Sequence, residues 1–242
     1  MKSKWNLSLP ENSEIPHHIA IIPDGNRRWA KARGMYTLEG HKKGFDAAVE
    51  VTEACWEIGV HTVSVWCFST ENWNRSAEEI AYLMKLYELF LKKQIDSAKK
   101  EKVKIIHRGR KDRIPKSLAS AIAKAEADTA HFTDHVFNIC LDYGGKDEIT
   151  RVVSAIVADK ISPDKVDQQL IDKYLNLQNQ PYPNPDLIIR SSGEQRLSGF
   201  MSWQNAYAEF YFEKDHFPDF NPSKIIDAVI EFNRRHRRFG GN

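Results

Sequence analysis

His18-Ile19-Ala20-Ile21-Ile22-Pro23-Asp24-Gly25-Asn26-Arg27-Arg28-Trp29 is the stretch on which the fold turns. The apolar run from Ile19 to Ile22 reads as a buried strand. Pro23 removes a backbone donor and stops the ladder. Asp24-Gly25-Asn26 is turn chemistry, and Arg27 to Arg33 reads as a helix. A carboxylate therefore stands where a strand gives way to a helix, beside free backbone N–H groups and two guanidinium groups. Helix N-termini attract anions and arginines grip phosphate oxygens, whereas a carboxylate there would repel a bare phosphate. The arrangement makes sense when a divalent cation lies between them, as Mg²⁺ does in sites that combine one or two carboxylates with substrate phosphates. The spacing matches neither G-x-x-x-x-G-K-[ST] nor G-x-G-x-x-G, so the usual nucleotide loops are not indicated. The plainer alternative is a surface turn whose Asp24 caps the helix.

A chain of 242 residues suits one large α/β domain with a sizeable core. Hydrophobic residues at 41% and charged residues at 28% are an ordinary globular balance, and a net charge of +2 confines any basic function to a local patch. Cys55, Cys67 and Cys140 form no C-x-x-C pair and lie in apolar segments, as small buried hydrophobes of a reducing, cytoplasmic compartment do. Residues 1–16 are polar, carry Pro10 and Pro16, and read as a flexible segment without a signal peptide. No apolar run is long enough to span a membrane.

Along the chain, helical and strand patterns alternate. Gly40-His41-Lys42-Lys43-Gly44 precedes a helix that Gly59 stops, and His61 to Phe68 is a second strand. Ser76-Ala77-Glu78-Glu79 has the form of a capping box opening a long helix. Its residues Ile80, Leu83, Met84, Tyr87, Leu89, Phe90 and Leu91 form a wide apolar stripe, which reads either as core or as the lining of an apolar channel. Further strands are expected over 103–107, 136–141, 186–190 and 208–212, and further helices over 119–130, 146–158, 166–174 and from Pro222. The pattern predicts a single-domain α/β fold with a mostly parallel central sheet of about six strands and helices on both faces.

In such a sheet the polar loops after Ile22, Phe68 and Ile189 gather at one edge, where open α/β sheets bind ligands. The groups brought together are Asp24, Arg27, Arg28, His41, Glu71, Asn72, Arg75, Arg190, Arg196 and Ser198, with Glu209 at the margin of the set. Five arginines against a few carboxylates suit the oxygens of two diphosphates. Each residue also has a plain reading: His41 as a loop histidine, Arg75 as a surface ion pair, Glu209 as a strand-edge charge.

At these positions the chain resembles the cis-prenyltransferases, the undecaprenyl diphosphate synthases and their relatives. The matching motifs are His18 to Ile22 with Asp24-Gly25-Asn26 and Arg28-Trp29-Ala30; Gly40-His41; Phe68-Ser69-Thr70-Glu71-Asn72-Trp73-Asn74-Arg75; Tyr143-Gly144-Gly145; Asp186 to Arg190 with Gly193-Glu194-Gln195-Arg196; Trp203-Gln204 with Ala206-Tyr207-Ala208-Glu209; Pro218-Asp219-Phe220; and Arg237-Arg238-Phe239-Gly240-Gly241. They run in order from about residue 17 to the end, which implies one catalytic domain over 17–242 with a long-helix hydrophobic tunnel.

The resemblance implies that isopentenyl diphosphate is condensed with an allylic diphosphate such as farnesyl diphosphate. The product would be a cis-polyprenyl diphosphate, undecaprenyl diphosphate or a similar lipid carrier. By position, Asp24 resembles the catalytic carboxylate and Mg²⁺ ligand, with Glu209 as second ligand. Gly25, Asn26, Arg27, Arg28 and His41 look like the allylic diphosphate cradle. Arg75, Arg190, Arg196, Leu197 and Ser198 look like the grip on the other diphosphate, and Ser69, Thr70, Glu71, Trp29 and Trp73 complete the substrate site. Trp29, Phe68 and Trp73 are expected as apolar walls. Asn72 stands where the family has its proposed proton acceptor. An amide is a very poor base, so a relay or positioning role is expected, with a diphosphate oxygen taking the proton. The Arg238-Phe239-Gly240 tail resembles one that reaches a partner subunit, implying a homodimer, and the lipid product implies peripheral membrane contact.

This chain departs from the pattern at Thr37 and Arg27, where many relatives carry Arg and Gly, at Pro23 for the commoner Met, and at Asp142 and Lys146 for Asn and Arg. These bear on substrate preference and product length. Rival readings are a non-catalytic partner subunit, which usually lacks the carboxylate at Asp24; a synthase of short or branched products; and a nucleic-acid binder using Arg234 to Arg238, which no basic-aromatic interleaving elsewhere supports.

Overall fold

β1 (His18–Ile22) is buried along its whole length, as a run of apolar residues demands of a strand covered on both faces. The structure is a computed structural model that describes residues 4–175 and 177–235. In it β1 pairs in parallel with β2 (Thr62–Ser69) on one side and with β5 (Leu187–Arg190) on the other. Beyond β2 lie β4 (His135–Tyr143) and β3 (Val103–Arg108), and beyond β5 the short edge strand β6 (Glu209–Phe212). The sheet order is therefore β3-β4-β2-β1-β5-β6, and all six strands are parallel.

Alternation along β1 sends Ile19 and Ile21 to one face and Ala20 and Ile22 to the other. The first face is covered by α2 (Thr37–Glu57), α7 (Pro222–Asn233), α3 (Ala77–Lys100) and α4 (Lys116–Thr129). The second is covered by residues 197–208, against which α5 (Gly145–Ala158) and α6 (Gln168–Tyr174) pack. The chain leaves β1 through the short α1 (Asn26–Ala32) towards β2, and later crosses from β4 to β5 on the far side of β1. Connections thus diverge around the carboxyl end of β1, and a crevice opens there.

Two local readings are corrected. Gly40 to Gly44 do not precede α2 but lie inside it, because the helix starts earlier, with Tyr36 as N-cap and Glu39 Oε2 accepting from the Tyr36 N–H at 2.8 Å. Gly44 is there for space: a Cβ on it would stand 2.3 Å from Asn26 Oδ1 on α1. Leu89 leaves the apolar stripe of α3 and is 56% exposed. The expected helix start holds, since the Ser76 hydroxyl accepts from the Glu79 N–H at 3.3 Å.

Residues 4–16, read above as flexible, lie along the body of the domain. Leu9 and Ile15 pack on the first core cluster, and the Glu14 N–H donates to Asn233 Oδ1 at 2.7 Å. The three cysteines are free thiols, and burial pushes Cys67 up to about 12.

A polar ladder crosses the sheet interior. His18 Nε2 lies 2.7 Å from Ser64 Oγ, which accepts from Asn138 Nδ2 at 2.9 Å. Burial pushes His18 down to about 3, and His107 down to about 4, from 6.5. As pH falls below 6.5 the unfolded chain takes up these protons first, so stability is full above that value and declines below it. The loss is about 1.4 kcal/mol per pH unit for each histidine. Urea midpoints should fall steadily between pH 6.5 and pH 4.5, and less steeply in His107→Gln, which keeps a donor towards the Leu141 carbonyl. A midpoint independent of pH over that range would contradict this.

Candidate active site

The carboxyl ends of β1, β2 and β5 open into a cavity of about 850 Å³. The three expected loops do converge: it is lined by Asp24 to Arg28 from the first turn, by Ser69 at the end of β2 with Asn72 and Arg75 after it, and by Arg190 and Ser198. α2 adds His41, Gly44, Phe45 and Ala48, with Thr37 at its first turn. A second cavity, of about 420 Å³, lies between α2 and α3 over β2 and β4 and is mostly apolar. The two share Phe45, Ala48, Val65, Cys67 and Tyr87 as walls, so they lie side by side.

Among the described residues lining the polar cavity, Arg27, Arg28, Lys31, Arg75 and Arg190 are cationic and Asp24 is the sole carboxylate. Asp24 does not cap α1. Gly25 is the N-cap residue, and no side chain bonds the helix end. The carboxylate instead accepts from Arg28 Nη2 at 3.0 Å and from Arg190 Nη2 at 2.8 Å. Burial alone would raise its pKa, but the hydrogen bond and charge of Arg190, with Arg28 behind them, hold it below the usual 3.8.

The Asp24 backbone is also locked. Its N–H donates to Ser191 Oγ at 2.9 Å, and its carbonyl accepts from the Ser191 hydroxyl and from the Phe217 N–H, each at 2.9 Å. Gly25 has φ 94°, and a Cβ on it would lie 2.5 Å from His216 Nδ1 and from Ser192 Oγ. Ser191, Ser192, His216 and Phe217 therefore shape the turn, although sequence reasoning passed over them. Their signal was position: Ser191 and Ser192 directly follow a strand that ends at the same edge.

Arg190 is buried and reaches three ways, to Asp24, to Ser198 Oγ at 2.9 Å and to the Arg196 carbonyl. Its Nε is buried and has no hydrogen-bond partner among the described residues. On the opposite wall His41 Nε2 lies 2.9 Å from Glu79 Oε1, and Arg75 Nη1 donates to the same oxygen at 3.1 Å. Burial holds the His41 pKa below 6.5, so at neutral pH the ring is uncharged and its Nε2–H donates to Glu79. His41 is thus a helix residue rather than a loop one, and Arg75 pairs inward rather than at the surface. Glu79, legible in the sequence only as a capping residue, ties α2 and α3 to the loop after β2. Asn72 Oδ1 accepts from the Ser69 N–H at 3.1 Å, closing the 3₁₀ turn Thr70–Asn74. One of its acceptor positions is therefore taken, and its amide N–H groups remain to be offered.

Several expected site residues stand elsewhere. Trp29 is buried, with Nε1 donating to Asp219 at 2.8 Å, and Arg33 stacks on its ring at 4.4 Å. Trp73 packs edge-on against buried Phe68 at 5.3 Å and donates Nε1 to Asp142 Oδ1 at 2.8 Å. These three aromatics frame the site, and the walls are instead Phe45, Trp66, Leu83, Leu86, Tyr87 and Phe217. Asp142 also takes the Arg113 guanidinium, whose Nε donates to Oδ2 at 2.9 Å. An aspartate rather than an asparagine at this position sets a fully buried carboxylate against that partly exposed guanidinium. Thr70 fills the space beside Gly144, Glu71 is exposed, and Leu197 packs on the core cluster that holds Phe200. Arg196 is exposed and paired with Glu194, which also accepts from Arg28 at 2.8 Å.

Glu209 is the clearest displacement. It pairs in register with Leu187, and Leu187 with Ile19, so it stands level with a residue three short of the end of β1. That places it ~10 Å back along the strands and two strand spacings, also ~10 Å, to the side. Its carboxylate accepts from Arg235 Nη1 at 2.8 Å. Within one chain it does not share a site with Asp24. The Arg237 to Gly241 motif lies outside the described residues.

Among the described residues no three His, Cys, Asp or Glu converge as a metal cage. A metal in this cavity would share Asp24 with the oxygens of a bound phosphate, which is how Mg²⁺ is commonly held. The donor set fits that arrangement. No helix among the described residues is long and apolar enough to cross a membrane.

Comparison with known proteins gives consistent matches. Residues 22–240 match the family described as "Putative undecaprenyl diphosphate synthase". An isoprenyl transferase of Listeria innocua is 42% identical over 98% of this chain and 94% of its own length. One from Streptococcus mutans is 44% identical over 99% of this chain and 98% of its own. Among solved structures, lavandulyl diphosphate synthase from Lavandula x intermedia, in complex with dimethylallyl diphosphate, superposes with a TM-score of 0.89 at 35% identity, covering 94% of this chain and 99% of that one. A probable undecaprenyl diphosphate synthase from Campylobacter jejuni gives 0.76 at 28% identity, covering 94% of this chain and all of that one.

Proposed function

Because the chain belongs to the undecaprenyl diphosphate synthase family and is an isoprenyl transferase, we propose that it condenses isopentenyl diphosphate with an allylic diphosphate such as farnesyl diphosphate. Repeated condensation would give a cis-polyprenyl diphosphate, undecaprenyl diphosphate or a similar lipid carrier. The observation that carries this reading is the single carboxylate set among five cations at the mouth of an apolar cavity.

In the reaction the allylic C–O bond breaks, the isopentenyl double bond attacks the freed carbon, and a proton leaves to form the new double bond. Asp24 would hold Mg²⁺ against the leaving diphosphate, where the metal supplies charge neutralisation as the C–O bond breaks. Arg27, Arg28 and His41 cradle that diphosphate together with Gly25 and Asn26. Arg75, Arg190 and Ser198 hold the other one, and Arg196 joins them by exchanging Glu194 for it. Asn72 positions the isopentenyl group through its amide N–H, and a diphosphate oxygen takes the proton. Phe45, Trp66 and Tyr87 keep water from the cation, and the tail enters the apolar cavity.

Glu209 serves as a metal ligand only if a second copy of the chain presents it, and its place on an exposed sheet edge suits a homodimer. The protein works in the cytoplasm, meeting the membrane surface through its lipid product.

Arg27 and Thr37 line the same cavity. Arg27 supplies the cation that many relatives carry at the position of Thr37. Arg27→Gly should raise KM for the allylic diphosphate about tenfold, the worth of one charge-assisted hydrogen bond, and adding Thr37→Arg should restore it. Independent, additive effects would contradict the exchange.

Incubation with farnesyl diphosphate, labelled isopentenyl diphosphate and Mg²⁺ tests the reaction. Label should pass into a ladder of prenyl diphosphates. A single short or branched product would instead identify a short-chain synthase, and no transfer would overturn the reading.

A further inference from the structure

The turn that carries Asn72 and Arg75 is pinned from outside the cavity. β2 runs irregularly into it, because its register against β4 shifts twice between Trp66 and Ser69. The sheet ladder therefore does not fix where the turn sits. Two contacts with the end of β4 do. Thr70 abuts Gly144, where a Cβ would collide with the Thr70 hydroxyl. Trp73, which stands between Asn72 and Arg75, donates Nε1 to Asp142 Oδ1 at 2.8 Å.

Asp142 is itself tightly held. Its side chain is fully buried, and the Arg113 guanidinium donates to both of its oxygens, with Nε to Oδ2 at 2.9 Å. Arg113 also lies 5.7 Å from the Trp73 ring. The Asp142 carbonyl accepts from the Arg110 N–H at 3.0 Å, so the loop after β3 wraps this residue on two sides. Its φ is 51°, a region that aspartate and asparagine both reach more readily than other side chains. The backbone thus does not choose between them, but the hydrogen bonds do. A carboxylate only accepts and takes the three N–H groups at once. A carboxamide would turn an NH₂ either to the indole N–H or to the Arg113 fork, donor against donor.

Asp142, Arg113 and Trp73 do not line the polar cavity. We infer that Asp142, locked by Arg113, is a positioning residue: through Trp73 it sets the pose in which Asn72 and Arg75 meet isopentenyl diphosphate. This rests on the reading of Asn72 and Arg75 given above. The allylic cradle stands on α1 and α2, which carry none of the three residues, so the effect falls on one substrate.

The test uses the full-length chain and measures KM for each substrate, kcat and melting temperature. Trp73→Phe keeps a ring beside Phe68 and leaves the Asp142–Arg113 pair intact. It should raise KM for isopentenyl diphosphate about tenfold, the worth of one hydrogen bond to a charged group. KM for the allylic diphosphate should stay within about twofold of the parent. Asp142→Asn should act in the same direction, and combining it with Trp73→Phe should add little, because both break one link. Adding Arg113→Gln to Asp142→Asn removes the opposing donors and should recover most of the loss. If Asp142→Asn does not fold, Trp73→Phe decides alone. A parental KM for isopentenyl diphosphate in Trp73→Phe, an equal rise for both substrates, or a lower melting temperature with unchanged kinetics overturns the inference and leaves the reaction standing. A parent that makes no prenyl product overturns both.

Discussion

Asp24→Asn is expected to lower the rate of condensation by about 10³-fold or more, with the circular-dichroism spectrum unchanged. The substitution is nearly isosteric and keeps an oxygen for Arg190, so the turn should hold. What it removes is the sole carboxylate among the described lining residues of a cavity with five cations. Without that charge a divalent cation loses the one carboxylate that the described lining residues offer it, and the leaving diphosphate must depart with its charge only partly answered. Loss of ligand affinity is the competing explanation, and it is separable. In the parent, Asp24 ties up Arg28 and Arg190 and repels an incoming anion. Metal-free pyrophosphate should therefore raise the melting temperature of Asp24→Asn at least as much as that of the parent. The additional rise that Mg²⁺ gives the parent should vanish in the variant. Retained turnover in Asp24→Asn would refute the assignment.

Arg190→Lys should cost about 10²- to 10³-fold in kcat/KM although the charge is kept. The guanidinium holds Asp24 with one nitrogen, and Ser198 Oγ and the Arg196 carbonyl with another. An ammonium is a point donor on a flexible stem and cannot span both sides, so either the bond to Asp24 or the pair to Ser198 and the Arg196 carbonyl is lost. KM for isopentenyl diphosphate should rise because Ser198 and the segment carrying Arg196 lose their anchor. The pH profile should move as well. Arg190 is the main influence holding the Asp24 carboxyl below its usual range. Weakening that contact lets burial push the carboxyl up, and the acid limb of the rate profile should shift to higher pH. A variant with parental kcat/KM and an unshifted acid limb would show that Arg190 is only a structural partner of Asp24.

What could be read in advance follows from how local each signal is. Ile19 to Ile22 with Pro23 and Gly25 carry their own explanation, since burial, a lost donor and a positive φ are set within a few residues. Convergence of the loops after β1, β2 and β5 needed only the parallel sheet. The partners of the aromatic side chains were out of reach: Trp29 bonds a carboxylate 190 residues away and Trp73 one 69 residues away. An indole beside a motif looks the same in sequence whether it faces substrate or frame. Gly40 to Gly44 reads as a stretch ahead of a helix, yet Gly40 and Gly44 lie inside it and give Asn26 its space. Glu209 was placed in the right strand, but strand order and register were needed to show that it starts the outer edge strand.

The central claim is that Asp24 and a diphosphate share a divalent cation at the carboxyl end of β1. The most direct measurement is a crystal structure with pyrophosphate and Mn²⁺ in place of Mg²⁺, with the metal located by its anomalous scattering. The account predicts one strong peak between the Asp24 carboxylate and a pyrophosphate oxygen, absent in Asp24→Asn. Pyrophosphate bound among the arginines with no metal beside Asp24, or metal bound at another position, would contradict it.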